Sequence, residues 1–577
     1  MLKPMFKKSF LSLFLLLAVC LGRVWASGIQ VIGTDVTTNV DEKSAQVKFS
    51  LTWDNSWRLS EGPKNWDAAW VFVKYRTLPG DNWNHAYLGA ASTHKVPANA
   101  LLSLGNSVAV VGGADATVCV GAFVYRKDAG NGTIQFDDVE LNWNFAQNGL
   151  TGGEQVEVCV MATEMVYIPG GVTFYLGDLT STGRFRNNPS NPGTANTARA
   201  ETVFTVNNAT VNGYFSNFGK WTNQGSSTYQ NPVNTLAPTF SSVAAPAPDD
   251  YNPSGRGSVS NNNANDYATA SAIHADYPRG FNAFYCMKYE ITQGEYLQFL
   301  NKNLVAVKNA GYYYPGVMTT GRFDIIKKDG TGTATVPAEY DFAAGKMASA
   351  YLPCGYLGTK DIVAWLIWAG LRPMTELEFE KNCRGPETIP GTVSLRPQYA
   401  WGSINLYNAA GFSNKGMANE ATSNLDGNCA VATTAGTATP ATPGSGTNAN
   451  LDGPMRGGGF ANPVSSREKS GATYYGVMEM SGNLWERCVS IGLDAGRTFR
   501  GSVVSGHGNG ETGPAATPDL PIGGGWSPVT GAGLGFRGGS YCDEAARARI
   551  SDRYLINYNA SNLRNKAWGG RGVRTAL

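Results

Sequence analysis

The chain has 577 residues, of which 42% are apolar and only 16% charged, with a formal net charge of +2. That length holds two or more domains with sizeable cores, and the near-neutral balance excludes a nucleic-acid partner, which needs a basic face. Glycine contributes 70 residues without a short repeat, the mark of a loop-rich protein rather than a helical bundle.

The first 26 residues read as an export signal. Lys3, Lys7 and Lys8 precede a short apolar run, Ser9–Gly22, and Ala26 offers a small residue before a cut ahead of Ser27. A lipoprotein signal ending at Cys20 is the rival reading, but Val19 stands where a small residue is wanted. The run is shorter than the ~20 residues a membrane span requires, and no second apolar span follows. Removing 1–26 takes away four positive charges, from +2 to −2, and leaves eight cysteines. The expected location is outside the cytoplasm: secreted, periplasmic or at the cell surface. An even cysteine number there permits disulfides, with buried thiols as the alternative.

Residues 28–162 predict an all-β sandwich domain. Gln46–Trp53 alternates Val47, Phe49 and Leu51 with polar neighbours, the period of a half-buried strand. Ala69–Arg76, Thr117–Arg126 and Gln155–Met161 are similar runs rich in valine and aromatic residues, separated by turn-forming clusters. Cys119 and Cys159 each sit on such a run, either bridged or simply buried.

A second domain is expected over 164–577. Met165–Gly171 (MVYIPGG) opens it, and residues 180–275, dominated by Asn, Ser, Thr, Gly and Pro, form a loop-rich insertion. Phe284–Asn301 reads as strand then helix, with Thr292 and Glu295 spaced as a capping box. Asp361–Glu380 reads as a helix stopping at Gly370, then a second capping box, Thr375 with Glu378. A low-complexity loop covers about 430–450. Three motifs complete the chain: Tyr475–Arg487 (YGVMEMSGNLWER), Gly535–Cys542 (GFRGGSYC) and Gly569–Thr575 (GGRGVRT).

These motifs, in this order, resemble the formylglycine-generating enzyme (sulfatase-modifying factor) family. YGVMEMSGNLWER resembles its G-x-x-(D/N/E)-M-x-G-N-x-W-E signature, GFRGGSYC its R-G-G-S-(Y/W) segment, and the passage around Gly370 its helix–GLRLPTEAEWE–helix stretch, with Pro373-Met374 in place of Leu-Pro. The resemblance implies an irregular α+β fold related to C-type lectins, preceded here by the all-β sandwich. It also implies oxidation of a client cysteine to formylglycine with oxygen and a copper ion held by two thiolates. Soft Cu(I) needs both sulfurs. At the matching positions this chain has Asp543 and Ala548, with Cys542 one position early. In a strand, a shift by one residue points the side chain to the opposite face. Copper is therefore not expected. An iron-using relative holds its metal with three histidines. Here His85, His94, His274 and His507 are isolated and read as surface residues.

The resemblance further implies a structural Ca²⁺ held by the Glu479 side chain, the Gly482 and Leu484 carbonyls and Glu486 of the W-E pair, with a second site near Asn405–Asn408. Carboxylates and carbonyls are the oxygen ligands calcium takes. The family's substrate groove maps onto Arg549, Asp552, Arg553, Tyr554, Asn557, Asn562 and Arg564, residue types that make adaptable polar contacts. No G-x-S-x-G, H-E-x-x-H, Walker or CxxC motif is present. The expectation is a non-catalytic binding or structural module with a peptide, protein or glycan ligand. The alternatives are a metal-dependent oxidoreductase of altered chemistry using Asp543 and Cys542, and a component of a surface assembly.

Overall fold

The computed structural model describes residues 28–39, 43–178, 276–316, 322–386, 398–434, 446–462, 465–491, 494–512, 533–556 and 563–576, with His274 and the short strands at 204–206, 220–221 and 229–230. The expected export signal and most of the 180–275 insertion lie outside these residues. The described protein is mostly β with few helices.

Seven long strands come from the N-terminal third: β1 (Gln30–Thr38), β2 (Ala45–Arg58), β3 (Asp67–Thr77), β4 (Ala100–Val111), β5 (Ala114–Arg126), β6 (Gly130–Trp143) and β7 (Val156–Ile168). Strands β1, β2 and β6 form a three-stranded sheet. The others join a much larger one. Its path continues from β7 into β8 (Phe284–Met287), β12 (Gly572–Thr575), β9 (Arg372–Thr375), β10 (Trp485–Val489) and β11 (Leu534–Arg537). The two regions anticipated from sequence therefore meet inside one strand. Residues Thr77 to Asp67 pair with Val156 to Val166, and Met165 to Ile168 pair with Met287 to Phe284.

Strand β2 shows the predicted alternation, with Val47, Phe49, Leu51 and Trp53 buried. Strand β3 differs. Its odd residues Val71, Val73 and Tyr75 enter a core shared with Phe49 and Leu141 of the three-stranded sheet. Its even residues Trp70 and Phe72 enter a second core with Trp365 and Trp368. A central strand covered on both faces reads as a continuous apolar run, because neither face meets water. Gly105 and Gly121 make room for Trp70: a Cβ at either would lie 2.4 or 2.6 Å from its ring. The Trp70 indole then donates to the Ala369 carbonyl at 2.8 Å.

Both capping boxes form. Helix α1 (Gln293–Asn301) starts at Thr292, whose hydroxyl accepts from the Glu295 amide at 3.2 Å while Glu295 accepts from the Thr292 amide at 2.8 Å. Helix α3 (Glu376–Arg384) repeats the arrangement with Thr375 and Glu378. Between them helix α2 (Thr359–Trp368) ends before Gly370, which takes a left-handed φ of 71°.

Two sequence expectations are corrected. His85 and His507 are not surface residues. Both are fully buried, and burial pushes each imidazole well below its ordinary pKa. Ser540–Asp543 is not strand either. The chain turns there, with the Asp543 amide donating to the Ser540 carbonyl at 3.0 Å, so the alternating-face argument does not apply to Cys542. Cys119 and Cys159 are not bridged, none of the other six described cysteines is in a disulfide, and all eight are buried. A thiol reagent is expected to label none of the eight in the native protein and all of them in denaturant. Dithiothreitol is expected to leave the melting temperature unchanged.

Candidate functional site

The turn after β11 carries the positions that the resemblance assigns to copper thiolates. Asp543 is buried, and one of its carboxylate oxygens accepts from the Trp485 indole at 2.6 Å and from the Ser540 hydroxyl. Ala548 is fully buried and has no donor atom in its side chain. Burial, partly offset by Tyr541 and Lys566, pushes the Cys542 thiol up to about 11, so it is protonated at neutral pH. The residues present do not fit a copper centre.

The preceding motif forms a tight loop through left-handed residues Glu479 (φ 55°), Gly482 (84°) and Asn483 (64°). A Cβ at Gly482 would lie 2.4 Å from the Ala430 carbonyl, so only glycine fits. Glu479 accepts from the Gly458 amide at 2.8 Å with one oxygen, and Glu486 is held by Arg571 at 2.5 Å. Each leaves its second oxygen buried with no hydrogen-bond partner. Glu290, which the sequence reading did not single out, closes the loop from below. It accepts from Asn483 at 2.6 Å and from the Leu484 amide at 2.9 Å. Burial raises all three carboxyls, and their mutual repulsion adds to the shift of Glu290 and Glu479. Glu479 reaches about 7. Two orphaned carboxylate oxygens are the donor type a hard cation takes. Among the described residues no three Cys, His, Asp or Glu side chains converge on one point, so backbone carbonyls such as those of Gly482 and Leu484 would have to complete a site.

Among the described residues of the expected substrate groove, none is exposed. Arg553 is fully buried and paired with Glu376 at 2.6 Å. Asp552 is buried beside Arg547 at 3.2 Å, and burial pushes its carboxyl up to about 6. Arg564 binds Asp361 at 2.7 Å, the residue that accepts from the Gly358 amide at the start of α2. Tyr554 is half-buried under the Arg547 guanidinium, 3.6 Å from its ring. Arg549 is half-buried against Tyr399. Asn557 and Asn562 lie outside the described residues. The arginines answer a run of buried carboxylates on α3: Glu376 meets Arg553, Glu378 meets Arg372 at 2.6 Å, and Glu380 meets Arg537 at 2.6 Å. Buried charges persist only when paired, so these side chains hold the fold together.

The open space lies elsewhere. A cleft of about 860 Å³ separates the end of β2 and its following loop from Lys288, Tyr289 and residues 456–478. Trp57, Tyr289 and Tyr474 are half-buried in its walls. Lys288 is buried at its base, paired with Glu164 at 2.9 Å and Asp67 at 3.5 Å. Burial pushes Glu164 up to about 7 despite this partner. Nothing in the local sequence marks this cleft, because its two walls are more than two hundred residues apart.

Comparison with known proteins gives one family. The model described as a sulfatase-modifying factor enzyme 1-like domain matches residues 255–576. A search of curated proteins gives no match.

Two outcomes follow from the buried charges. Arg553→Ala takes from Glu376 its hydrogen-bonded guanidinium and leaves only Arg537, 3.7 Å away and already paired with Glu380; it is expected to cost about 3 kcal/mol in denaturant unfolding. Glu479 titrates near 7 in the folded protein against 4.5 unfolded. Its contribution to stability is thus fully present below about 4.5 and lost as pH rises through about 7. Glu479→Gln is expected to be neutral near pH 4.5 and, relative to wild type, stabilising by up to about 3 kcal/mol near pH 8, read from chemical denaturation at both values.

Proposed function

Since the chain belongs to the family of sulfatase-modifying factor enzyme 1-like domains, we propose that it is an exported, non-catalytic member that uses this scaffold to bind a peptide, protein or glycan. One observation carries the reading. The two positions that would supply copper thiolates are a carboxylate sealed by Trp485 and Ser540 and a buried alanine. Oxygen chemistry of the family type has no thiolate pair to act through. The apolar run behind Lys3, Lys7 and Lys8 supports export. Among the described residues no helix is long and apolar enough to cross a membrane.

A structural calcium ion belongs to the same proposal. Glu479 and Glu486 would hold it through their orphaned oxygens, with the Gly482 and Leu484 carbonyls as further donors. The ion would neutralise a buried anionic loop that Arg571 balances only in part. Its role would be to stiffen the turn, with no part in a reaction.

The test is a Cu(I) titration of the reduced protein and of Cys542→Ser, with oxygen uptake followed in the presence of a thiol peptide. We expect no stoichiometric copper and no uptake. Calcium added to the same samples is expected to raise the melting temperature of wild type but not of Glu479→Gln. Tight one-to-one copper binding that vanishes in Cys542→Ser, with oxygen consumed, would replace the binding module by an oxidoreductase of altered chemistry.

A further inference from the structure

The cleft between the N-terminal strands and residues 456–478 has the makings of a ligand site that the family match does not include, since one wall lies outside residues 255–576. Its size, about 860 Å³, falls in the range of small-molecule clefts, about 300–1,000 Å³.

Three aromatic rings in its walls lie against glycine backbone. A Cβ at Gly476, which has φ +89°, would come within 2.9 Å of the Trp57 ring. One at Gly457 or Gly458 would come within 3.0 or 3.1 Å of Tyr289, and one at Gly385 within 2.2 Å of Tyr474. Each ring is thus seated on its support and half-buried, which removes most of the rotamer freedom a ligand would otherwise have to freeze.

Two of the three cations nearby, Lys288 and Arg467, are already engaged. Lys288 is paired with Glu164 and Asp67, and its charge also sits 4.7 Å from the Trp57 ring centre. Arg467 donates to the carbonyls of Cys383 and Ala400 at 2.9 Å each. Arg456 donates through its Nε to the Glu420 carbonyl at 2.9 Å and is half-buried in the wall, and Asp54, exposed in the wall, brings a carboxylate of opposite sign. A phosphate or an acidic peptide needs a cluster of guanidinium or ammonium groups that are not already spent on the protein. One guanidinium in a wall that also carries a carboxylate is no such cluster, and the other groups open to a ligand are neutral. Asn55 and Asn419 are exposed at the lips, and Asn65, which donates to the Tyr475 carbonyl at 2.7 Å, keeps its own amide oxygen without a partner. Fixed aromatic faces beside neutral amides suit a ligand with apolar C–H faces and a rim of hydroxyls.

From this arrangement we infer that the cleft binds a neutral oligosaccharide, stacked on Trp57 and Tyr289 and hydrogen-bonded by the asparagines. The assignment rests on the binding-module reading only in taking binding as the function. It names a different part of the molecule from the copper positions.

The experiment is calorimetric titration of the full chain with tetrasaccharides of glucose, mannose, galactose and N-acetylglucosamine. At least one is expected to bind one-to-one, with an affinity that persists between about 0.05 and about 0.5 M salt, because no ion pair is formed. Trp57→Ala is expected to weaken it by about tenfold or more. Because Trp57 also packs on Gly476, circular dichroism must show that variant folded. Ala418→Trp, at an exposed position on the lip, blocks the cleft without touching the core and is expected to abolish binding. The assignment is overturned if no tetrasaccharide binds, if binding survives both variants, or if an acidic peptide pool binds instead and Ala418→Trp removes it. The two readings fail separately. Copper binding with oxygen uptake would sink the non-catalytic module while a sugar lost in Trp57→Ala would still place the cleft.

Discussion

Strand β7, Val156–Ile168, is the element on which the rest depends. Eleven of its residues pair with β3 on one edge, and its last four pair with β8 on the other, so that Met165 and Val166 are bonded on both sides. A sheet cannot be parted in the middle without exposing backbone donors and acceptors and the apolar faces stacked on them. The N-terminal strands are therefore welded to the family domain. A buried ion pair, Glu164 with Lys288, spans the same seam. Trp70, Lys74 and Ser107 reach across to the carbonyls of Ala369, Trp368 and His507 at 2.8, 2.8 and 2.9 Å. The cleft lined by Trp57 and Tyr289 opens beside this seam, with Lys288 in its lining.

A second constraint organises the family domain. Helix α3 carries Glu376, Glu378 and Glu380, all buried, into a region of low polarity. Each would be costly alone, and each is met by an arginine from a distant segment: Arg553, Arg372 and Arg537. These pairs draw the end of the chain against the helix. They also explain why Arg553, among the described residues, is not part of an exposed surface. Arg553 is placed by what it neutralises inside the protein.

Much of the local structure was legible in the residues themselves. Thr292 with Glu295 and Thr375 with Glu378 announce two helix starts, Gly370 a helix end, and the alternation of Val47, Phe49 and Leu51 a half-exposed strand. These signals are short-range, carried by hydrogen bonds and side-chain periods within a few positions. The motif order Tyr475–Arg487, Gly535–Cys542 and Gly569–Thr575 was enough to point to the family that the match over 255–576 shows. The exposure of charged residues was not legible. His85, His507, Asp552 and Arg553 look like surface residues in a linear reading, because polarity alone does not say whether a partner awaits in the interior.

What the sequence by itself determined was the local conformation of the caps and strands, the family of the larger part, and a carboxylate and a methyl group at Asp543 and Ala548, where the resemblance expects thiolates. The tertiary structure alone decided that the two regions share a sheet, that the late arginines face inward, and that Trp57 stands across a cleft from Tyr289. The physical reason is range. Caps and strand periods are decided between near neighbours, whereas burial, charge pairing and the shape of a cleft depend on residues hundreds of positions apart that only the packed sheet brings into contact.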